Sequence, residues 1–448
     1  ILFFLSLLNG CVQAENPGST KTLLPSSTSP VFLPSPPKAQ TPALASPSPS
    51  PSPLPSDMQT AAPSPTPATG GLKQQCIPWV QTLPVDFTVE GRVVMSGAGL
   101  LTPSYLLDIN TEDKVALDRQ GYYLNSIDVS PDGKWIAIDI SENFPSTSEY
   151  LEVLSTQGEL LVQLPWEDSW HYIAAWFDAE SLWITKIRSD DPYEHIDSLL
   201  LLNPFTSQQQ ELPADFPELG NAYPGPRWMS WSNVTIFDPT LRLVLYPDGL
   251  NQLFLWDVQA EQTLLALEGT ISPGVTPRWS PDGQYILVSG PFNLFDAPPS
   301  SKVNYNRQEL FRITRDGAVD RLTYLTDAFQ EVKFDHYVWS PDGRYVAFSL
   351  ELVPQNYPDL YPAAGELFGR LAVLDTVTRE VTDYCLPFHT LGSPVWAPNG
   401  HQLVFATGFV PSPTSGISRY EVYFIDLAEN FAVKIAEDVL PVGWMLAP

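Results

Sequence analysis

The chain has 448 residues and carries 51 acidic against 23 basic side chains, a formal net charge of −28. A surface this acidic repels polyanions, which excludes nucleic acid and anionic membrane surfaces as general partners. Proline is densest before residue 72, where 15 of the 46 fall in about one sixth of the chain, whereas the 13 Trp, 18 Tyr and 22 Phe fall almost wholly after it, so an unfolded segment followed by one large core is expected.

Residues 1–10 open with the apolar run ILFFLSLL, too short for a membrane-spanning helix of about 20 residues, and read as the hydrophobic part of a signal peptide. No initiator Met or basic flank precedes the run, so the natural start is expected a few residues upstream. Leu8-Asn9-Gly10-Cys11 resembles the bacterial lipobox, which implies a diacylglycerol on Cys11 and an extracytoplasmic chain anchored to the cell envelope. An ordinary signal peptide that happens to contain a cysteine is the alternative. Residues 11–72 continue as Ser-Pro and Thr-Pro repeats, such as SPSPSPSPLPS at 46–56. They cannot bury apolar surface and favour extended polyproline II geometry, as a disordered tether does. With Cys11 assigned to the anchor, Cys76 and Cys385 remain. An oxidising compartment favours a disulfide between them, and two buried thiols are the other reading.

Residues 73–448 are dominated by an internal repeat. Four clear copies stand at 128–138 (DVSPDGKWIAI), 278–290 (RWSPDGQYILVSG), 338–350 (VWSPDGRYVAFSL) and 395–407 (VWAPNGHQLVFAT), with weaker ones at 174–185 (AAWFDAESLWIT) and 235–246 (TIFDPTLRLVLY). Each reads as an apolar strand, a tight turn and an alternating strand, which is a β-hairpin. Two further strand-like stretches follow each hairpin, as ELFRITRDG and AVDRLTYLT do after the copy at 278, so each unit is one four-stranded propeller blade. Three strands at 91–97, 104–111 and 113–118 lack an inner partner, and VLPVGWMLAP at 439–448 looks like the missing one. The ends therefore complete one blade, and an all-β, seven-bladed propeller is expected, with six blades as the second choice.

The S-P-D-G turns, the following strand of the type x-L-F-x-I and the L-T near the end of the unit make residues 77–448 similar to the TolB-like propeller family. The resemblance is to the repeat, and no counterpart of the N-terminal domain that accompanies the propeller in that family is expected. The resemblance implies protein partners.

In a propeller the inner-hairpin turns lie on one face and the second-to-third strand loops on the other. Here those loops are long, at 141–150, 186–197, 291–308 and 351–370, and rich in aromatic and acidic residues. They place the expected binding face around Tyr193, His195, Phe295, Tyr305, Tyr357 and Tyr361, with rings suited to a peptide or a sugar. His171-Tyr172 and His336-Tyr337 precede inner strands in two blades and are expected at the mouth of the central channel. The histidines show no ligand spacing, so neither metal nor cofactor is expected. No nucleophile elbow, zinc-protease motif, activated cysteine or phosphate loop is present, and no catalytic residue is assigned. A protein- or peptide-binding module is the first functional reading. The alternatives are a glycan-binding or glycan-active propeller with carboxylates drawn from several blades, and a structural subunit of an envelope assembly.

Overall fold

The computed structural model describes residues 71–97, 103–117, 123–141, 150–165, 170–188, 196–211, 237–247, 253–267, 277–291, 306–354, 369–387, 394–409 and 419–446. Their strands form seven sheets, and in blades two to five the strands run from inner to outer in chain order. Blade two holds Tyr123–Val129, Trp135–Ser141, Tyr150–Ser155 and Leu160–Pro165, and blade three Trp170–Trp176, Leu182–Arg188, Ile196–Asn203 and Gln208–Glu211. Blade four shows Leu243–Pro247, Leu253–Asp257 and Gln262–Leu267, with Phe237 bridged to Val244 where an inner strand would lie. Blade five holds Arg278–Trp279, Tyr285–Pro291, Gln308–Thr314 and Val319–Arg321, and blade six Phe329–Trp339, Tyr345–Pro354, Arg370–Asp375 and Val381–Pro387. Blade seven follows with Val395–Trp396, Gln402–Phe409, Arg419–Asp426 and Phe431–Glu437.

Blade one joins the two ends of the domain. Val439–Met445 lies antiparallel to Arg92–Gly97 as the inner strand, ahead of Tyr105–Leu107 and Lys114–Ala116. Close packing enforces this closure. A Cβ at Gly91, whose φ is +84°, would sit 2.1 Å from the Met445 carbonyl oxygen, and one at Gly443 would sit 2.3 Å from Val129 of blade two. The apolar core is divided in the same way, into seven clusters that each join consecutive blades, the last linking blade seven to blade one through Phe424, Phe431 and Trp444. Seven blades are thus the architecture, and the six-bladed alternative fails.

Two blades exceed the expected four strands. Leu72–Gln74 pairs in parallel with Val381–Pro387 at the outer edge of blade six, and Trp79–Val80 does the same with Phe431–Glu437 of blade seven. The segment between them is fixed by the Cys76–Cys385 disulfide, with Cα atoms 4.8 Å apart, and by Ile77, which is buried. Trp79 lies edge-on to Tyr423 at 4.2 Å between ring centroids. The entry segment therefore straps two blades from outside while the last strand closes the ring from inside.

The inner hairpins are held by the residues that define the repeat. Ser130, Ser280 and Ser340 each donate to the turn aspartate two residues on (2.8, 2.6 and 2.5 Å) and accept the backbone N–H five residues on (2.9, 3.0 and 2.8 Å). In blade four the roles are exchanged. Asp238 stands in the serine position and accepts the N–H groups of Arg242 and Leu243, Thr240 donates to it, and Leu241 takes the left-handed conformation (φ +57°) that glycine takes elsewhere.

A second hairpin motif, between the third and fourth strands, escaped the sequence reading. In five blades an Asp or Asn (Asp108, Asn203, Asp257, Asp375, Asp426) accepts two backbone N–H groups through one side-chain oxygen. The residue four positions on (Glu112, Ser207, Glu261, Arg379, Asn430) has positive φ in every case.

Candidate functional site

Both sets of hairpin turns lie on one face, and their polar groups are committed to each other. Arg242 pairs with Asp257 and Arg344 with Asp375 within their own blades, at 2.9 and 2.8 Å. Arg315 of blade five reaches Asp238 of blade four at 2.7 Å and also donates to the Gly283 carbonyl. Burial acts to raise the Asp238 pKa, but the hydrogen bonds from Thr240, the Leu243 N–H and Arg315 hold it below the usual carboxylate range. These contacts make the turn face a framework.

Of the expected binding-face residues, Tyr193, His195, Phe295, Tyr305, Tyr357 and Tyr361 lie outside the described residues. His171 and Tyr172 do not precede an inner strand; they are part of Trp170–Trp176, where their backbones pair with Ile187 and Lys186. His336 and Tyr337 likewise lie inside Phe329–Trp339. That strand carries a β-bulge between Asp335 and Val338, with His336 at φ +52°. Tyr337 is 3% exposed, its ring packed into the core shared by blades five and six, so it belongs to the wall and not to an open face. The bulge breaks the regular alternation of side chains there, which inner-strand position alone does not foretell. The inner strands of blades one and two carry bulges as well, at Pro441/Gly443 and Leu124/Ser126.

Blade six extends furthest. Its inner strand has 11 residues, and the hairpin continues through Phe329 and Pro354. The connection leading into it is built on Glu309, a fully buried carboxylate that accepts hydrogen bonds from Arg321, Thr323, the Leu325 N–H and both the N–H and hydroxyl of Thr326. Buried charge satisfied on every side in this way fixes the backbone of residues 323–326, which lead into the inner strand of blade six.

The channel wall has a repeating contact between blades. The tryptophan before the turn donates its indole N–H to the carbonyl two residues before the turn of the preceding blade: Trp339 to Arg278 and Trp396 to Val338, both at 3.3 Å. In blade three the pattern changes. Trp176 has no partner for its indole nitrogen, and its backbone N–H instead donates at 2.6 Å to the carboxylate of Asp128, which stands in blade two where Arg278 and Val338 stand in theirs.

Asp128 is shifted by burial to a pKa of about 6, partly offset by the Trp176 and Val129 N–H groups and by the charge of Arg278. Burial lowers the pKa of Arg278 in turn, against the opposing influence of Tyr337 and Asp128. Burial also raises Tyr337, which lies beside Ser289, and raises Asp335, where His336 and Lys333 oppose the shift. Asp128 and Trp176 thus link blades two and three, in place of the indole-to-carbonyl contact that Trp339 and Trp396 make. Among the described residues no cluster of three or more His, Cys, Asp or Glu has the arrangement of a metal site.

Two surface grooves lie elsewhere. One, of about 440 Å³, opens between blades six and seven and is lined by Tyr345, Asp375, Tyr384 and His401. The other, of about 730 Å³, lies between blades seven and one beneath Gln81–Leu83. Much of their charged lining is already paired, as Asp375 with Arg344, Glu380 with Lys73 and Glu437 with Lys434.

No protein-family model matches the chain, and no curated protein sequence matches it. Among solved structures it is similar to TolB from Acinetobacter baumannii, at 15% identity over 81% of this chain and 68% of that one, with a TM-score of 0.39. It is also similar to the Cps50 (Swd1) β-propeller domain of Myceliophteria thermophila, at 11% identity over 73% of this chain and 95% of that one, with a TM-score of 0.41. Hydrazine synthase from Kuenenia stuttgartiensis aligns at 13% identity over 67% of this chain and 76% of that one, with a TM-score of 0.38.

Proposed function

We propose that the protein is an extracytoplasmic, lipid-anchored β-propeller whose loop face binds a protein or peptide partner. The observation that carries this reading is the asymmetry of the two faces. The turns are short and internally satisfied, whereas the opposite connections are long, aromatic and acidic in sequence. Connections that served only to join strands would be short. The Cys76–Cys385 disulfide is in keeping with an oxidising compartment, and the Leu8-Asn9-Gly10-Cys11 sequence with an anchor. The Pro-rich residues between them would hold the propeller away from the membrane.

The test is capture of partners from separate protein and polysaccharide fractions of producing cells, using the mature chain and a variant carrying Tyr305→Ala, Tyr357→Ala and Tyr361→Ala. Specific capture of a protein that the variant loses supports the reading. Capture of polysaccharide alone transfers the face to glycan recognition, and equal capture by both forms refutes the assignment of the face.

A further inference from the structure

We propose that the groove between blades six and seven is a second binding site, one that takes an alkylguanidinium cation against Tyr345, Tyr384 and Glu380. The inference does not rest on the partner-binding reading of the loop face.

Strand register builds the site. Tyr345 pairs with Asp375 and Val373 with Thr382, so alternation puts these four, with Glu380 and Tyr384, on one face of the blade six sheet. That face is turned to blade seven, whose His401 and Leu427 form the opposite wall of a groove of about 440 Å³. Among the described residues no lysine or arginine lines it. Tyr384 is 8% exposed, and its hydroxyl has no hydrogen-bond partner among the described residues. Glu380 pairs with Lys73 of the entry strap at 3.3 Å, with both side chains about half exposed, and a pair this open exchanges partners at little cost.

The neighbouring blade interface shows what fits there. Between blades five and six the same register places Tyr285, Arg312 and Asp320 where Tyr345, Val373 and Thr382 stand between blades six and seven. Arg312 lies over the Tyr285 ring, 4.6 Å from its centre, and bonds Asp320 at 2.7 Å. Arg379 of blade six reaches the same carboxylate at 2.9 Å. Two guanidinium groups therefore fill the gap between blades five and six. One interface on, Val373 replaces Arg312. Asn430, in the left-handed turn position of blade seven that Arg379 holds in blade six, bonds Gln75 of the strap instead. Arg344 lies 4.9 Å from the centre of the Tyr345 ring, but it is committed to Asp375 and does not line the groove. The tyrosine is kept while the two cations that would fill the space are replaced.

The groups that remain define the class of ligand. Tyrosine rings attract a flat cation, the Tyr384 oxygen can accept one of its N–H groups, and Glu380 supplies the opposing carboxylate. The net charge of −28 favours the approach of a cation over that of an anion. The guanidinium can arrive as a free small molecule or at the end of an arginine side chain in a polypeptide.

The experiment is saturation-transfer NMR of the full chain with N-acetylarginine methylamide at constant ionic strength, beside the citrulline analogue, which has nearly the same shape and no charge. The expected result is a saturable signal from the arginine compound and binding at least about tenfold weaker from the citrulline one. Glu380→Gln and Tyr384→Phe should each weaken binding about tenfold, as loss of one charge-assisted contact does. Val373→Arg combined with Thr382→Asp, which copies the filled interface of blades five and six, should abolish the signal, and Lys114→Gln, in blade one, should leave it unchanged. Circular dichroism of each variant separates loss of the site from loss of the fold, and Tyr384→Phe, which removes only one oxygen, keeps the test open should the double variant unfold. A blocked Gly-Gly-Arg-Gly-Gly peptide distinguishes the two sources: tighter binding than the single residue supports the side chain of a polypeptide, and equal binding supports a free small molecule. No saturable signal in the parent chain, equal affinity for the citrulline analogue, or undiminished affinity in a folded Glu380→Gln, Tyr384→Phe or double variant overturns the proposal.

Discussion

Ser340 and Ser349 stand on one hairpin of blade six, both essentially without solvent exposure, and are used in opposite ways. Ser340, in the turn, donates to Asp342 and accepts the Tyr345 N–H. Ser349, in the following strand opposite Asp335, has no partner for its hydroxyl. Polar groups that stabilise a fold are satisfied by it, so the two hydroxyls should differ in what their removal costs.

The largest effect expected on the framework side comes from the strap. Replacing Cys76 and Cys385 by serine releases a loop closed over a sequence separation of 309 and should lower the unfolding free energy by about 3 kcal/mol in denaturant titrations, while leaving the propeller folded. Asp128→Asn should act with similar size and opposite sign. The folded pKa of about 6 lies above the ordinary value of 3.8, so the folded state holds an extra proton between these values and stability rises as pH falls from 6 towards 4. Above pH 6 the ionised, buried carboxylate opposes folding by roughly 3 kcal/mol. The asparagine keeps an acceptor for the Trp176 N–H. Its advantage over the parent should be greatest near pH 7 and vanish below pH 4, a trend opposite to that of a carboxylate stabilised by its partners.

Next in size is the clamp between blades four and five. Arg315→Ala leaves the buried Asp238 carboxylate without its cation and should cost about 2 kcal/mol at pH 7.

Much of this organisation was legible in the sequence, because propeller blades announce themselves through repetition. The Ser-Pro-Asp-Gly turns and the unpartnered strand at 439–448 sufficed for seven blades and their closure. The fifth strands were not legible, since two- and three-residue strands paired in parallel at a sheet edge carry no alternation of their own. The second hairpin motif was written out as Asp or Asn four residues ahead of the left-handed position. That position holds Glu112, Ser207, Glu261, Arg379 or Asn430 and never glycine, the residue by which such turns are usually recognised.

The channel groups stood in the repeat itself. Asp128 and Arg278 occupy the same place two residues before their turns, and the paired N–H and carbonyl contacts of the inner strands surround them. Nothing in a linear sequence tells which of these positions the closed ring brings near one another. That relation exists only once the ring closes.

The measurement that tests the contrast most directly compares the unfolding free energies of Ser340→Ala and Ser349→Ala under identical conditions. A turn hydroxyl with two partners should cost about 1 kcal/mol to remove, and an unpartnered one should cost nothing or return a few tenths. A loss at Ser349 equal to that at Ser340 would mean that both hydroxyls are structural, and the contrast between them would fall.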